Sequence, residues 1–319
     1  MFFSRLVCGW ISLCLTLHVA TAAEPAALSL VDYLSGSPPA SMIAYTPAEL
    51  DPRNPANQSR LATSALQKDL VALRPAFDGL ILYGYHEAST PRTLAIAQEL
   101  GYRAVLLGIW DIKSTAEIDG VAELAQQYRG QLAIGIIVGN EGLTFGRYEE
   151  VDLKIAEQRL RYRLGNTVPL TTTEPLVGYQ RPVVKAFGDF LCANIHPVFD
   201  RPNLGPVEAA AWAREEAAKL TSETGKFVIV KETGFPHAGK PQFTPESQRE
   251  FWQAYLAPGR SAAVGNSFAF HGVAFEAFDL PWKSEASGLE IEKSWGLMNP
   301  QREPYPSFDV WKQAGTIGK

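Results

Sequence analysis

The sequence predicts an α/β fold built as a single (β/α)8 TIM barrel, on three observations. Short apolar or β-branched runs alternate with longer amphipathic segments, the pattern of a parallel sheet covered by helices. Most of the runs are continuously apolar rather than alternating, as strands buried on both faces must be. Their number approaches eight in a chain of 319 residues, a length that suits one such barrel.

Taken in order, the candidate strands are residues 42–45, 79–83, 104–109, 133–138, 168–172, 190–195, 227–231 and 272–278. Helix-like stretches such as 114–128, 153–164, 206–221 and 245–257 lie between them, with apolar residues near helical spacing. Two of these have defined starts. Ser114 precedes Glu117 by three residues, the spacing of a capping box, and Thr244 stands as a cap before Pro245 at the first helical position. A doubly wound open sheet is the alternative arrangement. No G-x-G-x-x-G turn follows an early strand, which weakens a dinucleotide-binding version of it. No repeat beyond the strand–helix alternation, no low-complexity tract and no long linker divides residues 24–319, so one domain is expected there.

Residues 1–23 read as a secretory signal peptide: Arg5, an apolar stretch over 6–20, then the small-residue site Ala20-Thr21-Ala22. Gly9, Ser12, Thr16 and His18 interrupt the stretch, which is shorter than the roughly 20 residues a membrane span needs. An uncleaved anchor is the second reading. Cleavage predicts a secreted or periplasmic protein with no membrane association afterwards. It would also remove Cys8 and Cys14, leaving Cys192 without a disulfide partner, in an apolar run that reads as a site for a buried, inert thiol.

Composition narrows the function classes. The chain is 46% apolar and 20% charged with a net charge of −5, and its basic residues form no block. That argues against nucleic acid and anionic membrane surfaces as partners and favours a neutral one. Seven Trp, eleven Tyr and sixteen Phe supply flat apolar faces of the kind sugar rings stack on, although most aromatics in any barrel are core. His86, His196, His237 and His271 fall in different strand–helix units with no H-x-x-x-H spacing and no clustered cysteines, so no metal site is expected. The Asn57-Gln58-Ser59 sequon is of a kind that arises by chance.

Barrel enzymes place their chemistry where strands end at the carboxyl side. The fourth strand runs into Val138-Gly139-Asn140-Glu141, and the seventh into Lys231-Glu232-Thr233-Gly234-Phe235-Pro236. Each rim therefore carries a glutamate. Either one alone reads equally as a solvated loop charge. Two carboxyls at one mouth are what glycoside hydrolysis requires, an acid for the leaving oxygen and a base or nucleophile at the anomeric carbon, about 5 to 5.5 Å apart in retaining enzymes.

With these residues in place, the chain resembles glycoside hydrolase family 17, the β-1,3-glucanases and related glucan transglycosylases, and in particular its bacterial branch. Gly139-Asn140-Glu141 is similar to the family's G-N-E at the fourth strand, and Glu232-Thr233-Gly234-Phe235-Pro236 to its E-T-G-W-P at the seventh. Further pieces match in barrel order: Ala44-Tyr45-Thr46-Pro47, Leu82-Tyr83-Gly84, Gly108-Ile109-Trp110 and Ala193-Asn194-Ile195-His196-Pro197. So do Phe275-Glu276-Ala277-Phe278-Asp279, Pro281-Trp282-Lys283 and the stretch from Glu292 to Leu297.

The resemblance implies that residues 24–319 form a glycoside hydrolase catalytic domain with Glu141 as acid/base and Glu232 as nucleophile. Asn140 would hydrogen-bond the 2-hydroxyl of the sugar being cleaved. Tyr45, Tyr83, Trp110, Asn194, His196, Phe235, Glu276, Trp282, Lys283 and Glu292 would line or support the substrate site. The implied partner is a β-glucan polysaccharide or oligosaccharide, with no metal and no organic cofactor. Departures occur at Phe235, where the family has tryptophan, at Leu280, often polar or acidic in the family, and over 142–145. At Phe235 a ring for sugar stacking is expected to survive without the indole donor. Two alternatives stand beside hydrolysis: a glucan transglycosylase using the same site, and a glucan-binding protein without catalysis.

Overall fold

A computed structural model of the chain describes residues 27–314. The signal-peptide reading, with Cys8 and Cys14, falls outside the described residues.

Seven apolar runs become parallel strands that pair in chain order. They are β1 (Met42–Tyr45), β2 (Gly79–Leu82), β3 (Ala104–Ile109), β4 (Ala133–Asn140), β5 (Leu170–Pro175), β6 (Leu191–Asn194) and β7 (Val228–Glu232). An antiparallel hairpin follows, β8 (Ser261–Val264) with β9 (Ser267–Phe270), and then the short β10 (Val273–Ala274). β9 bonds to β7 and β10 bonds to β1, both parallel, so the chain over 267–274 supplies the eighth stave in two pieces and closes the ring. The fold is the predicted (β/α)8 barrel.

Strand limits other than those of β1 and β3 differ from expectation, and two of the differences have local reasons. The fifth begins at Leu170 rather than 168, because Pro169 has no N–H to give to the ladder. The eighth begins earlier than 272 and breaks at His271-Gly272, where His271 N instead donates to Arg260 O. The sequence does carry the hairpin's signal: Gly265-Asn266 is a two-residue turn, with Gly265 at φ +60°. Helices Thr115–Tyr128, Glu150–Leu164, Pro206–Thr224 and Pro245–Leu256 cover the sheet. The second of these starts before 153 because the Asp152 carboxylate accepts from Glu149 N at 2.9 Å. Ser114 caps its helix by accepting from Glu117 N, but Glu117 does not return the bond, so the capping box is only half formed.

The floor of the barrel is apolar. Met42, Ile81, Leu106, Ile137, Phe190 and Ile229 meet there, and the short helix Leu30–Ser35 seals the end with Leu30, Tyr33 and Leu34. Burying each such Leu, Ile or Phe contributes about 1.5–3 kcal/mol. Cys192 lies in this floor as expected of an inert thiol, and burial pushes it up to about 11.

Candidate active site

Above that floor the barrel interior changes character. Two residues beyond Cys192 and Ile229, on the same inward face of their strands, stand Asn194 and Lys231. The ladder also slips at two places, between Ile137 and Asn140 on β4 and between Ala193 and Asn194 on β6 beside β7. A regular strand sends neighbouring side chains to opposite faces; with the slips, both Asn140 and Glu141, and both Lys231 and Glu232, reach one mouth. Gly139 at φ +77° and Glu141 at φ +57° make the turn at the end of β4. Glu141 is held in its left-handed conformation by donation of its N–H to Thr173 O at 2.7 Å.

The side chains form one continuous network. Asn194 Nδ2 donates to Glu141 Oε1 at 2.8 Å and lies 3.4 Å from Asn140 Oδ1. Lys231 Nζ donates to Asn140 Oδ1 and to Glu232 Oε1, each at 2.5 Å, and sits 4.4 Å from the centre of the Tyr83 ring. His196 Nε2 lies 3.3 Å from Glu232 Oε2. On the adjoining loop Lys283 Nζ donates to both Glu276 oxygens at 2.7 Å.

This network separates the two glutamates electrostatically. Burial pushes Glu141 above the ordinary carboxylate range and the nearby charge of Glu232 adds to it, against the Asn194 bond and the charges of His196 and Lys231. Burial also works against ionisation of Glu232, yet Lys231 and His196 outweigh it and hold that carboxyl well below its usual range. His196 shows the converse: burial disfavours its cation, and the bond to Glu232 with the surrounding carboxylates more than restores it. Glu276 is pushed up to about 7 by burial despite Lys283, and Glu292 is raised by burial too.

A cleft of about 600 Å³ opens over the ends of β1, β2 and β3 and the loop after β10. Of the expected substrate residues, Tyr45, Tyr83, Trp110, Asn140, Trp282, Lys283 and Glu292 line it, together with Glu232. Glu141, Asn194, His196 and Glu276 are bonded to lining residues or to one another behind and beside it. Trp110 is 48% exposed and carries the Arg147 guanidinium 4.1 Å from its ring centre. Tyr45 is buried and its hydroxyl is committed to Asp69 Oδ2 at 2.9 Å, so it offers the cleft little surface.

Phe235 corrects the expectation of a sugar-stacking ring. It is 3% exposed and packs edge-on to Phe243 at 5.1 Å and beside Phe251, in the core beneath the helix Pro245–Leu256. A ring with both neighbours inside the core has no face left for a ligand.

Three polar residues that sequence reasoning passed over also hold the site. Lys231 is one. Glu174, at the end of β5, accepts from Leu143 N at 2.9 Å and Thr144 N at 3.1 Å, fixing the backbone that follows Glu141. Glu117 accepts from Tyr85 N and Trp110 N at 2.9 and 2.7 Å and from Asp111 N at 2.9 Å, tying together the loops after β2 and β3. Glu174 followed the rule of polar residues just past an apolar run, and Lys231 was a charge inside one. Glu117 gave no such signal. Among the described residues no group of three or more His, Cys, Asp or Glu is placed to hold a metal ion.

Comparison with known proteins adds the ancestry of this arrangement. Residues 43–296 match the family described as the BtgE/BtgC glycoside hydrolase domain. A putative glucan endo-1,3-beta-glucosidase, btgC of Aspergillus niger, is 24% identical over 277 residues, covering 76% of this chain and 39% of that protein. The chain thus spans about two fifths of the length of that curated relative. A glycoside hydrolase family 17 beta-1,3-glucanosyltransferase from Rhizomucor miehei superposes with a TM-score of 0.64 at 19% identity, over 85% of this chain and 97% of that one. An endo-laminarinase from Formosa superposes with a TM-score of 0.66 at 17% identity, over 91% of each chain. At such identities the likeness to solved structures speaks for the fold, and the family match speaks for descent. The chain belongs to the BtgE/BtgC glycoside hydrolase domain family.

Proposed function

We propose that this chain is a retaining glycoside hydrolase of the family 17 type acting on β-1,3-glucan, with Glu232 as nucleophile and Glu141 as acid/base. The observation that carries the reading is the unequal contacts of the two glutamates: Lys231 Nζ at 2.5 Å and His196 Nε2 at 3.3 Å favour the anion of Glu232, while Glu141, bonded to the Asn194 amide at 2.8 Å, is pushed toward its neutral acid by burial and its neighbour's charge. Pairs of carboxyls pushed apart in this way divide the roles of acid and base between them.

In the first step a Glu232 oxygen bonds to the anomeric carbon as the glycosidic C–O bond breaks, and Glu141 passes its proton to the departing oxygen. In the second, Glu141 takes a proton from the acceptor, whose oxygen replaces Glu232 at the anomeric carbon. The configuration is retained and no redox partner is consumed. The cleft is lined by Glu232 and by Asn140, the residue assigned to the 2-hydroxyl of the sugar that becomes bonded to the enzyme. The cleft is therefore assigned to the part of the glucan that stays on the enzyme, and its volume suits a short oligosaccharide. The names of the Aspergillus, Rhizomucor and Formosa proteins support a β-1,3-glucan as that substrate.

Two measurements on one defined β-1,3-gluco-oligosaccharide test the reading. Proton NMR should show the β anomer first, and an initial α anomer would exclude retention. Mass spectrometry of the products separates water from a sugar hydroxyl as acceptor: shorter products alone mean hydrolysis, longer ones transfer. Loss of turnover in Glu232→Ala, with recovery by azide as an α-glycosyl azide, is expected of the nucleophile. Full activity in that variant would remove the assignment.

A further inference from the structure

Lys231 is 1% exposed, at an inward position of β7 just after the apolar run Val228-Ile229-Val230. Placing a charged ammonium there is unfavourable unless close partners compensate it. Its partners come from two strands, Glu232 beside it on β7 and Asn140 across the barrel on β4, with the Tyr83 ring of the β2 rim against it.

We propose that Lys231 is a positioning residue with two linked tasks: it holds the Glu232 carboxylate as an anion by one oxygen, and it fixes which end of the Asn140 amide faces the sugar. The inference rests on the functional reading above.

The second task follows from donor chemistry. A lysine ammonium has only hydrogens to give, so the amide oxygen of Asn140 must face Lys231, and Asn194 Nδ2, also a donor, approaches the same oxygen. The Asn140 N–H2 is left for the cleft that this residue lines, and the sugar hydroxyl there must accept. The first task follows from the unequal hold on Glu232. Oε1 is bound by Lys231 at 2.5 Å, whereas Oε2 faces His196 at 3.3 Å. Oε2 is therefore the freer oxygen for bonding to carbon. Lys231 Nζ keeps its hydrogen bond to Oε1 while negative charge leaves the carboxylate in the first step and returns to it in the second. The other ionisable groups that act on Glu232 or surround it are Glu141, His196, Tyr83, Cys192, Glu276, Glu292 and Lys283; His196 Nε2 lies 3.3 Å from the carboxylate, and Lys231 Nζ is the nearer cation at 2.5 Å.

The test compares the wild type with Lys231→Met and Lys231→Arg, each checked for folding by circular dichroism. Carbon-13 NMR of glutamate-labelled protein, with Glu232→Gln assigning the signal, follows the nucleophile without any substrate. Removing the cation should raise the Glu232 midpoint by about 1 to 3 pH units, the usual influence of one close opposite charge, and Lys231→Arg should restore much of it. An unchanged Glu232 titration in folded Lys231→Met overturns the proposal. So does ordinary carboxylate titration of Glu232 in the wild type, which needs no variant to fold. With substrate, the acidic limb of kcat/KM should move up in Lys231→Met, and the penalty for a 2-deoxy sugar should shrink as Asn140 becomes free to turn. A 2-deoxy penalty equal to that of the wild type removes the amide-fixing task. Absence of glucan cleavage by the wild type would count against the functional reading and leave the carboxylate titration to judge Lys231.

Discussion

Asn194 and Glu141 are joined by a 2.8 Å hydrogen bond between the ends of β6 and β4, with the amide donating to the carboxylate. The bond favours the anion of Glu141, against burial and the Glu232 charge, which favour the neutral acid. Removing it in Asn194→Ala should therefore raise Glu141 further. The basic limb of the kcat/KM profile is expected to move upward by about one pH unit, and the rate to fall roughly tenfold, as loss of one charge-assisted hydrogen bond implies. A pH–rate profile measures both, and a basic limb that stays in place or moves down would contradict the role given to this contact.

Glu117 holds three backbone N–H groups from two loops. Glutamine in its place keeps one acceptor oxygen and turns an N–H2 toward a donor. Glu117→Gln should cost about 1–3 kcal/mol, the penalty of leaving a buried polar group unmatched. Because Tyr85 and Trp110 line the cleft, KM should rise as well. Thermal unfolding alongside steady-state kinetics tests this. A lower Tm with unchanged KM would mean that the knot serves the fold alone.

His271 is buried, with Nδ1 2.9 Å from the Tyr255 hydroxyl, and burial, assisted by the charge of Arg214, pushes it down to about 3. The unfolded chain binds a proton near pH 6.5 that the folded chain refuses until near pH 3. The contribution of this histidine is thus complete above pH 6.5 and is lost as pH falls toward 3, at about 1.4 kcal/mol per pH unit. Urea unfolding of the wild type and His271→Gln between pH 8 and pH 5 should show the two stabilities converging below about pH 6.5. A constant difference over that range would show that the folded protein protonates His271 readily.

Much of the barrel was legible because burial on both faces leaves a local mark. β1 and β3 fall on the residues where continuous apolar runs predict them, and the four named helices differ from expectation at their ends. The eighth stave was misplaced because its pieces are short, and the β8 hairpin strand that precedes it is not continuously buried. Its Gly265-Asn266 turn was a better guide than hydrophobicity. Among candidate site residues, Asn140, Glu232 and Trp110 reach the cleft as their place past a strand end suggested, whereas Phe235, three residues past the β7 limit at Glu232, turns into the core. Position along the chain locates a residue at the rim; it does not say which way the ring turns.

The sequence by itself determined the alternation of strands and helices, the glutamate at each of two rims and the apolar floor, because each depends on composition over a few neighbouring residues. Only the tertiary structure decided that Lys231 from β7 meets Asn140 from β4, that Glu174 and Glu117 clamp loops they do not belong to, and that the two glutamates ionise differently. The physical reason is range. Burial patterns are written locally, but a charge in a low-dielectric barrel takes its state from whichever groups the closed ring brings within hydrogen-bond reach, as Lys231 and Asn140 meet across 91 residues of chain.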